Sequence, residues 1–297
     1  MKPATCLICF FLCLAWPMYA QSEGATEPSA SPALSEAPWS VNDATLLGAG
    51  RYRLMDTYLS PGKKLDYKGW GLRILNERMK MTRLAGYRIS RQQLISVDIA
   101  STDNPASTAT DFAGFVDYSL GYHYHFTPLP GLKLLAGASA HGMVGFIYNT
   151  RNGNNPASAK ADIDLNLSGL AIYSFKIREY PLTLRYQLTV PFAGVLFSPH
   201  YGQSYYEIFN LGNNSGVVQF NSFHNKFALK NYFTVDFPVG NLTVRAGYLH
   251  STYYTDVNSL QSHIISHSFL IGLVKEFVAF GGKRLKNNTR KYKSAYY

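Results

Sequence analysis

The sequence predicts an all-β fold, a single transmembrane antiparallel up-and-down β-barrel, and three observations support this prediction. Only 15% of the 297 residues are charged and 14% are aromatic, whereas an ordinary soluble domain has about 25% charged residues. Apolar and polar residues alternate with a period of two over long segments, as they do in strands. No run of about 20 apolar residues, the length of a membrane-spanning helix, follows the N-terminal segment.

Residues 1–20 have the features of a secretory signal peptide. Lys2 supplies a positive charge, residues 6–16 are apolar, and Ala20 is a small residue at the expected cleavage position. All three cysteines of the chain, Cys6, Cys9 and Cys13, lie within this segment. We therefore expect an exported chain without disulfides or cysteine-ligated metals.

Three further segments follow from composition. Residues 21–38 are rich in Ser, Ala, Glu and Pro and contain no aromatic residue, so we expect a disordered periplasmic leader. The barrel is expected over residues 39–279. Residues 280–297 contain six Lys and Arg side chains; we expect a solvated periplasmic tail, with binding to anionic lipid headgroups or cell-wall polymers as the alternative.

Residues 182–192 show the strand pattern most clearly. Six apolar side chains share one face of this segment, and Thr183, Arg185, Gln187 and Thr189 occupy the other. In a barrel of this kind the apolar face meets lipid and the polar face lines the lumen. By the same alternation, His250 and His267 are predicted to point outward near the outer rim, as part of the interfacial belt.

Short and long connections alternate along the chain. Residues 127–131, 178–181 and 238–241 form tight turns, whereas residues 101–110, 151–161 and 256–262 form polar loops. Outer-membrane barrels have short periplasmic turns and longer extracellular loops. We count about twelve strands with both termini in the periplasm. Ten strands are the alternative, because residues 204–211 and 216–223 make only short, weak strands.

Several stretches resemble one family of proteins. They are residues 56–61, 148–157, 182–187 and 197–207, which read DTYLSP, YNTRNGNNPA, LTLRYQ and FSPHYGQSYYE. Together they resemble an uncharacterised family of small outer-membrane β-barrel proteins of Bacteroidota, a domain of unknown function, over residues 46–277. The resemblance implies a barrel fold and a location in the cell outer membrane. It implies no catalytic residue.

The candidate functional residues are polar side chains that the alternation places in the lumen. His123 and His125 share one face, and with His141 and Asp117 they would offer ligands to a metal. We favour a polar lumenal network instead, and we expect no metal and no cofactor. The lumenal candidates are Asp117, His123, His125, Ser139, His141, Arg185 and Arg245.

An enzyme is less expected than a barrel without catalytic activity. Barrel phospholipases and lipid A deacylases place a serine two residues after a histidine on one strand, and no His-x-Ser occurs here. Ser139 and His141 have the reverse order, so no catalytic residue is assigned. An enzyme that acts on outer-membrane lipid or glycolipid remains the alternative.

The predicted function is that a slightly basic lumen of mixed charge passes or binds a small solute. Eight strands give an interior that side chains fill, and sixteen give an aqueous channel, so twelve strands are intermediate. Arg185 and Arg245 would favour an anion inside the lumen. A structural barrel with a plugged lumen is the alternative. The expected partners are outer-membrane lipid, the barrel-insertion machinery and a small anionic solute, with no nucleic acid.

Overall fold

Eleven strand segments and one short helix follow one another in the computed structural model, which describes residues 40–61, 64–239 and 242–278. The predicted signal peptide, leader and basic tail lie outside these residues. All of the described residues belong to one compact unit. The elements are β1 Ser40–Asp56, β2 Tyr67–Met81, β3 Ile89–Asp103, β4 Thr110–Leu129, β5 Leu132–Asn149, β6 Ala157–Ile177, β7 Tyr180–Phe197, α1 Tyr205–Phe209, β8 Val218–Ser222, β9 Lys226–Val239, β10 Leu242–Val257 and β11 Leu260–Val278.

The strands form one closed antiparallel sheet. β1 pairs with β2 on one side and with β11 on the other, and β6 pairs with β7, so the ring has no free edge. β8 and β9 both pair with β7, β8 at residues 193–197 and β9 at residues 183–189. These two segments therefore share one position in the ring, and the barrel has ten strands in the described part of the chain. The predicted all-β barrel is confirmed.

The count of twelve strands is wrong, and the ten-stranded alternative is right. Residues predicted as a strand over 204–211 instead contain the helix α1.

Ser204 caps this helix: its backbone N–H donates to Glu207 Oε2 at 2.7 Å, and its hydroxyl accepts from the Glu207 N–H. This reciprocal arrangement is a capping box. The Ser204 N–H also holds the pKa of Glu207 below its usual value.

The pairing register staggers the strands around the barrel. A path that starts at Gly48 and passes from each residue to its paired residue on the next strand reaches Lys160 on β6 when it begins through β2. The same path reaches Ile172 on β6 when it begins through β11. The two ends of this path are twelve residues apart. Such a stagger tilts the strands against the barrel axis, typically by about 35–45°. We call the end with the β1–β2, β3–β4 and β5–β6 connections the loop end and the other the turn end.

Burial differs from that of a soluble protein, because many inward side chains are charged or polar and many outward side chains are apolar. Inward side chains include Arg185 and Arg245, which are 2% and 0% exposed, whereas the outward Leu165 is 59% exposed. Outward Ile, Leu, Val and Phe side chains continue around the barrel, and a surface of this kind is stable in contact with lipid. No helix among the described residues is long and apolar enough to span a membrane.

We predict that Leu165→Arg destabilises the folded barrel by about 2–4 kcal/mol in lipid, because a charge on the lipid-facing surface loses its hydration. Urea unfolding in vesicles, followed by tyrosine and tryptophan fluorescence, measures the loss. The exposed loop residue Asn154 provides the control, and Asn154→Arg should change the free energy of unfolding by less than about 0.5 kcal/mol. Equal losses for the two variants would contradict the lipid-facing assignment.

Candidate functional site

A layer of ionic and amide side chains crosses the lumen toward the turn end. Glu77 on β2 accepts from Arg185 Nη1 on β7 at 2.6 Å and from Arg245 Nη1 on β10 at 2.9 Å. β2 and β7 stand opposite each other, with four strands between them on either side of the ring. The Glu77–Arg185 contact therefore joins facing walls of the barrel.

The remaining members of this layer complete its hydrogen bonds. Gln92 Nε2 donates to Glu77 Oε1 at 2.5 Å and to Gln187 Oε1 at 2.9 Å. Arg245 also makes a bidentate pair with Asp236, with both distances at 2.6 Å, the strongest geometry for a guanidinium and a carboxylate. We call this set the Glu77 layer: Glu77, Gln92, Arg185, Gln187, Asp236 and Arg245.

The Glu77 layer is electrically neutral. Its two guanidinium groups face two carboxylates, and all four side chains are at most 3% exposed. The predicted anion-attracting charge of Arg185 and Arg245 is thus compensated inside the lumen. Because breaking a buried ion pair leaves an unpaired charge at a cost of about 3–5 kcal/mol, the layer resists opening.

A second group of charged residues lies nearer the loop end. His141 Nε2 is 2.8 Å from Asp117 Oδ1, and Lys230 Nζ donates to the same oxygen at 2.7 Å. Lys226 Nζ donates to Asp164 Oδ2 at 2.6 Å and lies 3.0 Å from Asp162 Oδ2. We call these six residues the aspartate cluster.

The aspartate cluster includes a possible set of metal ligands. His141 Nδ1 lies 3.7 Å from Asp162 Oδ1 and 3.7 Å from Asp164 Oδ2, and among the described residues these three form a group with metal-like spacing. However, the Lys226 ammonium already contacts both carboxylates, so it stands where a cation would bind. Two lysines oppose three carboxylates, and a proton on His141 would bring the cluster to neutrality.

All seven predicted lumenal residues lie on the inward face, and some of them contact each other or share a partner. Asp117 contacts His141, and Arg185 and Arg245 meet on Glu77. His123 is buried, and its ring nitrogens have no hydrogen-bond partner among the described residues. His125 is partly buried nearby on β4. Neither histidine joins the metal-like group.

Ser139 and His141 do not form a catalytic pair. Both are buried on β5, but none of the hydrogen bonds of the described residues joins them. Asp117, the partner of His141, accepts a hydrogen bond from the hydroxyl of Ser96, with Ser96 Oγ 3.3 Å from Asp117 Oδ2. The Asp117–His141 pair therefore has no activated serine in the described part of the chain.

Two residues that hold these groups together, Glu77 and Asp162, are not among the candidates of the sequence analysis. Glu77 has the inward parity of Arg73 on β2, and Asp162 and Asp164 alternate inward on β6. The period of two therefore predicts that these side chains face inward. It does not predict which residues they contact, since Glu77 and Arg245 are 168 residues apart.

Two cavities accompany these groups. Inside the barrel, a cavity of about 110 Å³ is lined by members of both, among them Gln187, Asp117 and Lys230, and it is large enough for several waters. At the loop end, an open cup of about 810 Å³ is lined mostly by asparagine, tyrosine and small residues. Arg151 is the one charged side chain among the described residues that line the cup.

Solved structures of low similarity include three barrels. The transport unit of the autotransporter AIDA-I from Escherichia coli has 12% identity and a TM-score of 0.42 over 81% of this chain and 92% of that chain. The translocator domain of the autotransporter NalP from Neisseria meningitidis has 10% identity and a TM-score of 0.35 over 81% and 90%. The outer membrane protease OmpT from Escherichia coli has 10% identity and a TM-score of 0.36 over 83% and 99%. The fold of this chain is established by its own strand pairing.

No curated protein matches the sequence. A family model does match, over residues 6–284, and it is described as a protein of unknown function. This range contains every described strand of the barrel. The chain therefore belongs to the DUF3316 family.

Proposed function

We propose that this chain is an outer-membrane barrel with a closed lumen, which binds a small anionic solute in the cup at its loop end. The observation that supports the closed lumen is the contact of Glu77 with Arg185, which joins opposite walls of the barrel. A free passage for solute would have to break this buried pair. Binding from outside requires no such change.

The cup supports the anionic character of the solute. Arg151 is exposed there, and a guanidinium binds carboxylate or phosphate groups through two parallel hydrogen bonds. Tyr201 lines the same cup, is 57% exposed, and offers a hydroxyl group and ring surface. The signal peptide, the periplasmic termini and the insertion machinery as a partner belong to this proposal, because export and insertion are how a barrel reaches the outer membrane.

The enzyme alternative has less support. The Asp117–His141 pair is buried within the wall of the lumen, and Lys230 contacts the same carboxylate oxygen. A lipid substrate would lie on the outward face, and the strand wall separates that face from the pair. The geometry favours a charge network in which Asp117 and His141 stabilise the interior.

We predict that the refolded wild-type protein shows no stepwise current in a planar lipid bilayer, because the Glu77 layer closes the lumen. Glu77→Ala should produce ion-conducting steps with a preference for anions, since Arg185 and Arg245 then lose their shared carboxylate. Glu179 in the turn between β6 and β7 is the control, and Glu179→Ala should stay silent. Steady conductance by the wild type would contradict the closed lumen.

We also predict that a small carboxylate binds the cup. Benzoate should quench the tyrosine fluorescence of the folded protein in a saturable manner, and Arg151→Gln should weaken this binding at least tenfold because the paired hydrogen bonds are lost. Glucose serves as the neutral comparison, and Arg178→Gln, in a turn at the opposite end, as the control variant. Equal binding by wild type and Arg151→Gln would contradict the role of the cup.

A further inference from the structure

An apolar groove lies on the outer wall of the barrel, across β1 to β5. It has a volume of about 580 Å³, and its large side chains are those of Trp70, Leu72, Ile99, Phe112 and Phe146. All five face outward, and each is at least 47% exposed. Because the groove belongs to the lipid-facing surface, hydrocarbon chains rather than water fill it in a bilayer.

A row of polar side chains borders the apolar surface on the side of the loop end. Arg51 on β1 pairs in register with His267 on β11, and His267 pairs in turn with His250 on β10. Two residues farther from the loop end, the outward side chains are those of Ala49 and Phe269, both apolar. The row therefore marks the level at which headgroups and water replace hydrocarbon.

Arg51 and Lys68 are exposed cations at this border. Neither takes part in any ion pair between the described residues. Arg53 on β1 does have a partner, since it donates to both carboxylate oxygens of Asp66, at 2.8 and 2.5 Å. Asp103 lies opposite Lys68 in the register of β2 and β3. Three cations thus meet two carboxylates, and the patch keeps a positive charge.

Trp70 connects these cations to the groove. Its side chain lines the groove, and the guanidinium carbon of Arg51 lies 5.3 Å from the centroid of its ring, within the range of a cation–π contact. Lys68 precedes Trp70 by two residues on the same face of β2, toward the loop end. A surface for hydrocarbon and a surface for negative charge are therefore adjacent.

We propose that this surface binds an anionic phospholipid of the leaflet at the loop end, with an acyl chain in the groove and the phosphate of the headgroup against Arg51 and Lys68. Guanidinium and ammonium groups both bind phosphate oxygens. A soluble anion would use the two cations alone, whereas a lipid also contacts the apolar groove. The inference rests on the membrane location in the proposed function, but not on the closed lumen or the solute.

Quenching of tryptophan fluorescence by brominated lipids tests this proposal. Trp16 and Trp39 are replaced by phenylalanine in the full chain, so that Trp70 is its only tryptophan. The protein is refolded into phosphatidylcholine vesicles with equal fractions of a lipid that has brominated acyl chains, either phosphatidylglycerol or phosphatidylcholine. The phosphatidylglycerol should occupy the site about fivefold more often, because the two cations attract its net negative charge. Equal quenching by the two brominated lipids would overturn the proposal.

Matched double variants separate this site from the general attraction of a basic protein for anionic lipid. Arg51→Gln with Lys68→Gln should abolish the preference for phosphatidylglycerol. Lys80→Gln with Arg91→Gln removes the same charge from outward positions of β2 and β3 at the turn end, and it should leave the preference unchanged. An equal loss in both double variants would show that net charge alone attracts the lipid and would overturn the proposal.

A second position for the tryptophan tests where the lipid binds, even if the first double variant fails to fold. Trp70→Phe with Val195→Trp moves the tryptophan to β7, directly opposite β2 in the ring, and leaves both cations in place. This tryptophan should be quenched equally by the two brominated lipids. A preference for phosphatidylglycerol as large as that at Trp70 would overturn the proposal.

Inorganic phosphate distinguishes a lipid site from a site for a soluble anion. Added to the vesicles with brominated phosphatidylglycerol, it should lower the quenching of Trp70 no more than sodium chloride of the same ionic strength does, because it cannot fill the groove. A larger effect of phosphate would show that the cations bind a soluble anion and would contradict the lipid assignment.

Discussion

The contact of one buried carboxylate with two arginines determines the state of the lumen. Glu77 is 0% exposed and is held by Arg185 from the facing wall and by Arg245 from β10. A buried charge is tolerated only when it is paired and hydrogen-bonded, so these side chains must meet. Their reach limits the width of the barrel, and a ten-stranded ring brings the facing strands close enough.

This dependence links the number of strands to function. A barrel of twelve strands is wider, and a glutamate and an arginine on its facing walls would have to span a longer distance to meet. In the ten-stranded barrel the same residues meet across the lumen. Residues 204–211, predicted as a strand, contain α1 with its capping box of Ser204 and Glu207 and take no part in the ring.

Sequence alternation predicted which way the strand residues face, and the observed pattern of burial agrees with it. Arg185 and Arg245 are inward and Leu165 is outward, as a period of two requires. Alternation does not predict partners across the lumen. The basic excess on the inward face predicts a field that favours anions, whereas in the structure Glu77 and Asp236 neutralise these arginines. Likewise, the outward position of His250 was predictable, whereas its stacking with His267 depends on the register of β10 and β11.

The most direct test of the closed lumen is the coupling free energy between Glu77 and Arg185, measured by a double-mutant cycle. Urea unfolding in lipid vesicles gives the free energies for Glu77→Gln, Arg185→Gln and the double variant. If the two side chains hold the barrel walls together, each single variant already removes the ion pair across the lumen, and the double variant should be more stable than the sum of the two losses predicts by about 1–3 kcal/mol. Losses that add to within about 0.5 kcal/mol would show that the two residues do not interact across the lumen and would contradict the account.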